Sequence, residues 1–210
     1  DAKDFDDALS FKVISDDVFE IGVHIADVSH YVREGSALDE EAIYRGVSIY
    51  LVDRTIPMLP EVLSNDMCSL NPRQDKLTFS AVMTMSGDGH IKNVWLGRTI
   101  INSNKRFAYE DAQRVLDEKT GEYYEELHRL NMVAKLLRKE RMHGGAVDFE
   151  KEEVKFILDA KGKPVSIEEK PILDAHKLVE EFMILANKEV ATYLSREIKR
   201  INKGASVYRT

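Results

Sequence analysis

The sequence has little cysteine, no long apolar run and no overall excess of positive charge, and each of these features excludes a class of protein. The single Cys68 excludes an internal disulfide. We find neither an uninterrupted apolar stretch of about 18 residues nor a charged-then-apolar leader, which argues against a membrane-spanning or secreted protein. We therefore expect a cytoplasmic protein that makes no membrane contact.

The negative charge is concentrated in the first part of the chain. The 210 residues have a formal net charge of −7, with 13 acidic and 5 basic residues in residues 1–60 and 24 acidic and 25 basic residues in the remainder. This distribution argues against a protein that coats nucleic acid through bulk positive charge. It is compatible with a nucleic-acid enzyme whose acidic end holds cations.

Hydrophobic periodicity predicts a mixture of hairpins and helices around one sizeable core. Alternating apolar residues bounded by polar turns predict three hairpins, over residues 8–28, 77–100 and 154–169. A further strand is predicted over residues 47–53. Helical spacing and capping residues predict helices over residues 36–46, 109–119, 122–142 and 176–200. The fold class that follows is α+β, with mainly antiparallel sheets and flanking helices, two of them long.

An unusual acidic cluster, Asp4, Asp6 and Asp7 in DAKDFDDALS, directly precedes the first predicted strand. In an extended chain the first two side chains point to one side about 6.6 Å apart, and a bend could bring in the third. Such a cluster can supply oxygen ligands to Mg²⁺ in a two-metal site for phosphoryl transfer. The alternative is a solvated acidic loop. An EF-hand does not fit, because this sequence lacks the glycine and the final glutamate that an EF-hand loop requires.

The acidic motif is followed by two others in a fixed order. Three motifs together resemble the ribonuclease II/ribonuclease R family of processive exoribonucleases: DAKDFDDALS, GVHIADVSHYV and YLVDRTIPMLPEVLSNDMCSLNP. Their residues are most similar to the ribonuclease R branch of that family. The resemblance extends over nearly the whole chain. It implies an RNB-type catalytic domain that degrades single-stranded RNA from its 3′ end to nucleoside 5′-monophosphates, with Mg²⁺ or alternatively Mn²⁺ as cofactor.

The resemblance also implies which residues form the site. It assigns Asp4, Asp6 and Asp7 as three of four catalytic, metal-binding aspartates, with the fourth two residues before Asp1. An arginine-bearing Ser-Pro-Ile-Arg motif would follow Thr210, and the family's cold-shock-type and S1 domains are absent. We therefore expect residues 1–210 to be a partial catalytic domain that is inactive by itself.

Four further positions are implied to bind substrate. Tyr50 matches a tyrosine that packs against the 3′-terminal nucleotide, and Phe149 matches an aromatic residue at the other end of the bound bases. Tyr109 and Glu180 match positions that hold the terminal nucleotides, where a phenol and a carboxylate can contact a 2′-hydroxyl. The alternative for Tyr50 and Phe149 is that they belong to the core. Tyr109 could instead only begin a helix, and Glu180 could be a solvated charge.

The sequence is compatible with two functions from different classes. The first is a metal-dependent exoribonuclease, and the second is an RNA-binding module that keeps the fold without hydrolysis. His24 and His30 are interpreted as structural, and Cys68 as a small buried apolar residue.

Overall fold

The structure is a computed structural model that describes residues 3–52, 54–147, 153–159, 163–201 and residue 204. In chain order, the strands are β1 (Asp7–Ser15), β2 (Val18–Ala26), β3 (Ile49–Tyr50), β4 (Thr55–Ile56), β5 (Asp75–Ser86), β6 (Ile91–Asn102), β7 (Glu153–Leu158) and β8 (Pro164–Lys170). The helices are α1 (Val28–Tyr31), α2 (Ala37–Arg45), α3 (Tyr109–Glu118), α4 (Tyr124–His143) and α5 (Asp174–Ile201), with one π-helical turn at Leu63–Met67.

The centre of the fold is a four-stranded antiparallel sheet with the strand order β1-β2-β5-β6. Each of its outer pairs is a hairpin, because short polar turns separate β1 from β2 and β5 from β6. The third predicted hairpin is present as a separate sheet of β7 and β8. The predicted α+β class is therefore confirmed.

One face of the central sheet packs against α4 and α5. Ile21 and Met83 from the sheet, and Phe182 from α5, are fully buried in this core. Val190 and Leu194, which lie farther along α5, are 40% and 43% exposed. The main core cluster therefore uses only the first part of this long helix.

The opposite face of the sheet contains a polar group at its centre. His24 is buried, and its Nδ1 and Nε2 atoms lie 2.7 Å from Ser80 Oγ and 2.8 Å from Ser10 Oγ. Burial lowers the pKa of His24, which favours the neutral imidazole. These contacts agree with a structural role for this histidine.

A second, smaller core lies beside the start of β1. Its buried residues are Ala26, Leu63, Cys68 and Leu70, and Phe5 packs against them. The free Cys68 is 4% exposed, which confirms its interpretation as a small buried residue. This cluster supports the segment that carries the acidic motif.

The strand predicted over residues 47–53 is wrong in its length. Within the described part of this range, residues 47–52, only Ile49–Tyr50 pairs, with Thr55–Ile56, and Leu51 N donates a hydrogen bond to Arg54 O. Pro57 follows directly and has no N–H with which to extend the ladder. None of the helices within the described ranges is long and apolar enough to cross a bilayer.

Candidate active site

The aspartate segment, residues 4–7, is anchored through its backbone at the N-terminal end of β1. Phe5 N donates a hydrogen bond to Ser69 Oγ at 3.0 Å. Ala26 N donates to Asp6 O at 2.9 Å. Because Ser69 and Ala26 are both buried, these bonds hold the segment against the second core while its carboxylates stay at the surface.

Within this segment the charges of Asp4 and Asp7 act on the carboxylate of Asp6. Burial raises the pKa of Asp6, and the negative charges of Asp4 and Asp7 raise it further. Burial also raises the pKa of Asp7. Both side chains still reach solvent, so the surrounding protein removes only part of their water. A bound cation would reverse this unfavourable balance of charge.

Tyr50 reaches the aspartate segment from β3. Its hydroxyl group donates a hydrogen bond to Asp4 Oδ2 at 3.2 Å, across 46 positions of sequence. The charge of Asp4 is the main cause of a raised pKa for the Tyr50 phenol, and Asp6 contributes to it. The side chain is 67% exposed, so Tyr50 is not a core aromatic residue.

Tyr109, at the start of α3, interacts electrostatically with the aspartate segment. It is the first residue of α3, and its ring stacks on that of His176 with centroids 4.0 Å apart and planes inclined by 20°. Burial raises the pKa of its phenol, and the charge of Asp7 raises it further. Tyr109 therefore both begins a helix and lies close enough to Asp7 for their charges to interact.

Glu180 lies on α5, one helical turn after His176, where it pairs with two arginines. Its Oε1 atom is 3.4 Å from Arg141 Nη2 and 3.9 Å from Arg138 Nη1, and its side chain is 49% exposed. The adjacent Glu181 is 2% exposed and binds Arg141 Nη2 at 2.5 Å. Glu180 is thus an exposed member of an ion-pair group that Glu181 dominates.

Phe149 falls among residues 148–152, which lie outside the described residues. Its role as a stacking aromatic residue stays a prediction. Of the seven predicted site residues, the structure brings five into mutual contact or electrostatic interaction: Asp4, Asp6, Asp7, Tyr50 and Tyr109.

The carboxylate oxygens of the site are the kind of ligand that a hard cation prefers, although they do not supply a full coordination shell. Across the described ranges, no group of three or more His, Cys, Asp or Glu side chains is arranged to hold a metal ion by itself. Mg²⁺ is commonly bound through one or two carboxylates, with the remaining oxygens supplied by water and substrate phosphates. The aspartate segment offers ligands of this kind.

Reasoning from the sequence missed two residues that position the site. Ser69 Oγ accepts from Phe5 N and also donates to Lys3 O at 2.8 Å, so it clamps the start of the aspartate segment. His176 supports the ring of Tyr109, and its Nδ1 accepts from Leu173 N at 3.1 Å. The only available signal was that His176 precedes Glu180 by four residues on one predicted helix.

Comparison with known proteins gives one family. Residues 1–208 match the family model described as the RNB domain. Ribonuclease R of Thermotoga maritima is 46% identical over 197 residues, which cover 91% of this chain and 28% of that protein. Ribonuclease R 1 of Lactococcus lactis is 43% identical over 202 residues, which cover 92% and 24%. The chain spans about a quarter of the length of these curated relatives.

The solved structures agree with the sequence comparison. RNase R of Mycoplasma genitalium in complex with ribose-methylated single-stranded RNA matches with a TM-score of 0.86 and 32% identity, covering 93% of this chain and 31% of that one. Yeast Ssd1, described as a pseudonuclease, matches with a TM-score of 0.72 and 20% identity, covering 92% and 24%. The second likeness concerns the fold alone.

These matches confirm the resemblance that the acidic motif and its companions indicated. The family model covers almost the whole chain, and both curated relatives exceed 40% identity over more than nine-tenths of it. The chain belongs to the RNB domain family.

Proposed function

We propose that the full-length protein containing this chain is a 3′-to-5′ exoribonuclease that hydrolyses single-stranded RNA to nucleoside 5′-monophosphates. The observation that carries this proposal is the hydrogen bond that joins the exposed Tyr50 to Asp4, in the segment that also carries Asp6 and Asp7. Carboxylates supply ligands for cations that act on phosphodiesters, and exposed aromatic rings grip unpaired bases.

We propose Mg²⁺ as the cofactor, with Mn²⁺ as the alternative, bound by Asp4, Asp6 and Asp7. When bound, such ions lower the pKa of water to give a nucleophile and stabilise the charge on the leaving oxygen. The chain's contribution is to orient the carboxylates. The Phe5–Ser69 hydrogen bond holds their backbone, and the Tyr50 hydroxyl restrains the side chain of Asp4.

Aromatic contacts explain how such an enzyme would bind RNA without reading its sequence. The exposed ring of Tyr50 is available to stack on the base of the 3′-terminal nucleotide, and Phe149 is proposed for the other end of the bound strand. Each stack is worth about 1–3 kcal/mol and accepts any base. A strand held in this way can advance after each cleavage.

Discrimination between RNA and DNA is assigned to Tyr109 and Glu180. The Tyr109 ring is held by its stack on His176, and Glu180 follows one turn later on the same helix as that histidine. A phenol and a carboxylate can both hydrogen-bond a 2′-hydroxyl group, which DNA lacks. Glu180 also forms ion pairs with Arg138 and Arg141, which hold its carboxylate against α4.

The second candidate function is RNA binding without hydrolysis. Such a module would keep the fold, which this chain shares with yeast Ssd1, described as a pseudonuclease, and would have lost hydrolysis. The presence of all three aspartates in this chain favours catalysis instead.

The proposal is tested by incubating the full-length protein with end-labelled single-stranded RNA and Mg²⁺. We expect release of nucleoside 5′-monophosphates, complete loss of release after a chelator is added, and recovery when Mg²⁺ is supplied in excess. Tight RNA binding with no release at any concentration of Mg²⁺ or Mn²⁺ would support the binding module and contradict the enzyme.

Replacement of Tyr50 should act on short RNA. We expect Tyr50→Ala in the full-length protein to slow cleavage of the last few nucleotides by about 5- to 150-fold, because one stack of about 1–3 kcal/mol is lost where few other contacts remain. Long RNA should be degraded at nearly the parent rate. Cleavage ladders of a short and a long labelled RNA measure both effects.

Tyr50→Phe is the matched control for this change. It keeps the ring and removes only the hydrogen bond to Asp4. We expect short RNA to be degraded faster by Tyr50→Phe than by Tyr50→Ala. Because the side chain is exposed, neither variant should alter the melting temperature appreciably. Equal rates for parent and Tyr50→Ala on short RNA would show that the ring makes no stack.

A further inference from the structure

His176, in the first turn of α5, contacts the ring of Tyr109 face to face. The centroids of the two rings lie 4.0 Å apart, and their planes are inclined by 20°. Tyr109 is the first residue of α3 and is 42% exposed, so part of its side chain can meet a substrate. Because a stacked ring can turn less freely than an isolated one, His176 limits the directions in which the Tyr109 hydroxyl group can point.

The imidazole of His176 is itself held by the backbone. Leu173 N donates a hydrogen bond to its Nδ1 at 3.1 Å, and His176 N donates to Leu173 O at 3.1 Å. His176 is the third residue of α5, the position from which a side chain can reach back to the N–H that precedes the helix. The ring that Tyr109 meets therefore has its orientation fixed by a helix cap.

A second bond joins α3 to the start of α5 beside the stacked rings. Ala175 N donates to Gln113 Oε1 at 3.1 Å. Gln113 follows Tyr109 by four residues, so the two side chains lie on one face of α3. The first turn of α5 is thus held to that face through two adjacent residues, Ala175 by its hydrogen bond and His176 by its ring.

The place of His176 on α5 also relates it to Glu180. Residues four apart on a helix share a face, with Cβ atoms about 5–6 Å apart. Glu180 is therefore the next residue along the face of α5 that carries His176. Tyr109 and Glu180 come from distant parts of the sequence, and His176 contacts the first and lies one turn before the second.

We propose that His176 is a positioning residue that sets the preference for RNA over DNA by holding Tyr109 beside the turn of α5 that carries Glu180. This inference rests on the proposed function, because it deepens the assignment of Tyr109 and Glu180 to the 2′-hydroxyl group. A hydroxyl group that is already oriented loses less conformational entropy when it bonds a sugar. The ring of His176, rather than its bond to Leu173, carries the effect on substrate choice.

The test compares two labelled RNAs whose two 3′-terminal sugars are ribose in one and 2′-deoxyribose in the other. Discrimination is the ratio of their kcat/KM values for release of the first nucleotide by the full-length protein. His176→Asn keeps a hydrogen-bond acceptor but removes the ring. We expect it to lower the ratio about fivefold, the effect of about one net hydrogen bond, with the loss falling on the ribose substrate.

Two variants separate the ring from the hydrogen bond and from independent effects. His176→Phe keeps a flat ring without the acceptor, so it should retain the parent ratio while its melting temperature falls. Tyr109→Phe keeps the stack and removes the hydroxyl group, so it should lower the ratio as His176→Asn does. Combining Tyr109→Phe with His176→Asn should lower the ratio no further, because one residue acts through the other.

His128→Asn is the matched control. His128 stacks on Tyr124 within α4, with ring centroids 5.4 Å apart and planes inclined by 25°. Its replacement removes a stacked imidazole from another part of the fold, so the ratio should stay at the parent value. An equal loss of discrimination in this control would reveal a general effect on folding and would overturn the inference.

The inference is also overturned by a parent ratio in His176→Asn, by an equal loss in His176→Phe, or by losses that multiply in the double variant. His176→Gln is a second variant without the ring. If neither variant without the ring folds while His176→Phe folds, the ring is needed only for stability and the inference fails.

Failure of the proposed function would look different, because the parent protein would then release no nucleotide from either RNA. A parent protein that degrades both RNAs equally well would leave the nuclease in place. It would overturn the assignment of Tyr109 and Glu180 to the 2′-hydroxyl group, and the positioning role of His176 with it.

Discussion

Asp6→Asn in the full-length protein should lower the rate of nucleotide release by about 10²–10³-fold. The substitution keeps the shape of the side chain but removes a charged oxygen ligand from the centre of the aspartate segment. RNA binding should be retained, because the tyrosines are unchanged. Single-turnover cleavage of labelled RNA at saturating Mg²⁺ measures the chemical step without a contribution from binding.

The same variant should not be less stable than the parent. Burial and the charges of Asp4 and Asp7 raise the pKa of Asp6, so the folded protein disfavours the ionised carboxylate more than the unfolded chain does. Removal of that charge should leave the melting temperature unchanged or slightly higher. A loss of activity together with a gain in stability is typical of a functional residue held in an unfavourable setting.

Asp16→Asn is the matched control for the loss of negative charge. Asp16 is an exposed acidic residue in the turn between β1 and β2, away from the aspartate segment. We expect the rate of nucleotide release by Asp16→Asn to remain within about twofold of the parent rate, because surface substitutions usually have small effects. Comparable losses for the two variants would attribute the effect to total charge and would refute the assignment of Asp6.

Glu181→Ala should reduce the free energy of unfolding by about 3–5 kcal/mol. Glu181 is 2% exposed and accepts from Arg141 Nη2 at 2.5 Å and from Arg141 Nε at 3.2 Å. Arg138 Nη1 lies 3.5 Å from the same carboxylate. The substitution leaves two largely buried guanidinium groups with less counter-charge between α4 and α5. Urea denaturation of the full-length protein, followed by a signal from this domain, measures the loss.

Glu180→Ala is the comparison that the chain itself provides. The two glutamates are adjacent and contact the same arginines, but the side chain of Glu180 is 49% exposed. Exposed ion pairs contribute about 0–1 kcal/mol, so we expect a small change in stability. Under the proposed function Glu180→Ala should instead weaken discrimination between RNA and DNA. Similar destabilisation by both variants would disprove the division of roles between them.

The regular elements of the fold could be predicted because each carries a local pattern. Ser36 caps the N-terminus of α2 by accepting a hydrogen bond from Asp39 N, and Gly46 ends it with a φ of 74°, as the sequence indicated. The hairpin of β5 and β6 follows from alternation around a polar turn. The predicted length of the strand over residues 47–53 was wrong because local composition does not show that Leu51 N bonds to Arg54 O.

The site was less accessible to reasoning from the sequence. The aspartates form a local motif, but their grouping with Tyr50 and Tyr109 depends on contacts across long stretches of sequence that no periodicity records. The resemblance to a family supplied those residues. Ser69 and His176 escaped notice for the same reason, since a hydroxyl group in a loop and an imidazole on a helix acquire meaning only through their contacts with Phe5 and Tyr109.

The measurement that tests the central claim most directly compares two copies of one single-stranded RNA, one with a free 3′-hydroxyl group and one with its 3′ end blocked. The full-length protein is incubated with each in the presence of Mg²⁺, and the products are identified by mass. We predict nucleoside 5′-monophosphates from the free RNA, a ladder that shortens from its 3′ end, and little release from the blocked RNA. Equal degradation of both RNAs, or internal cleavage fragments, would contradict a 3′-to-5′ exoribonuclease built on Asp4, Asp6 and Asp7.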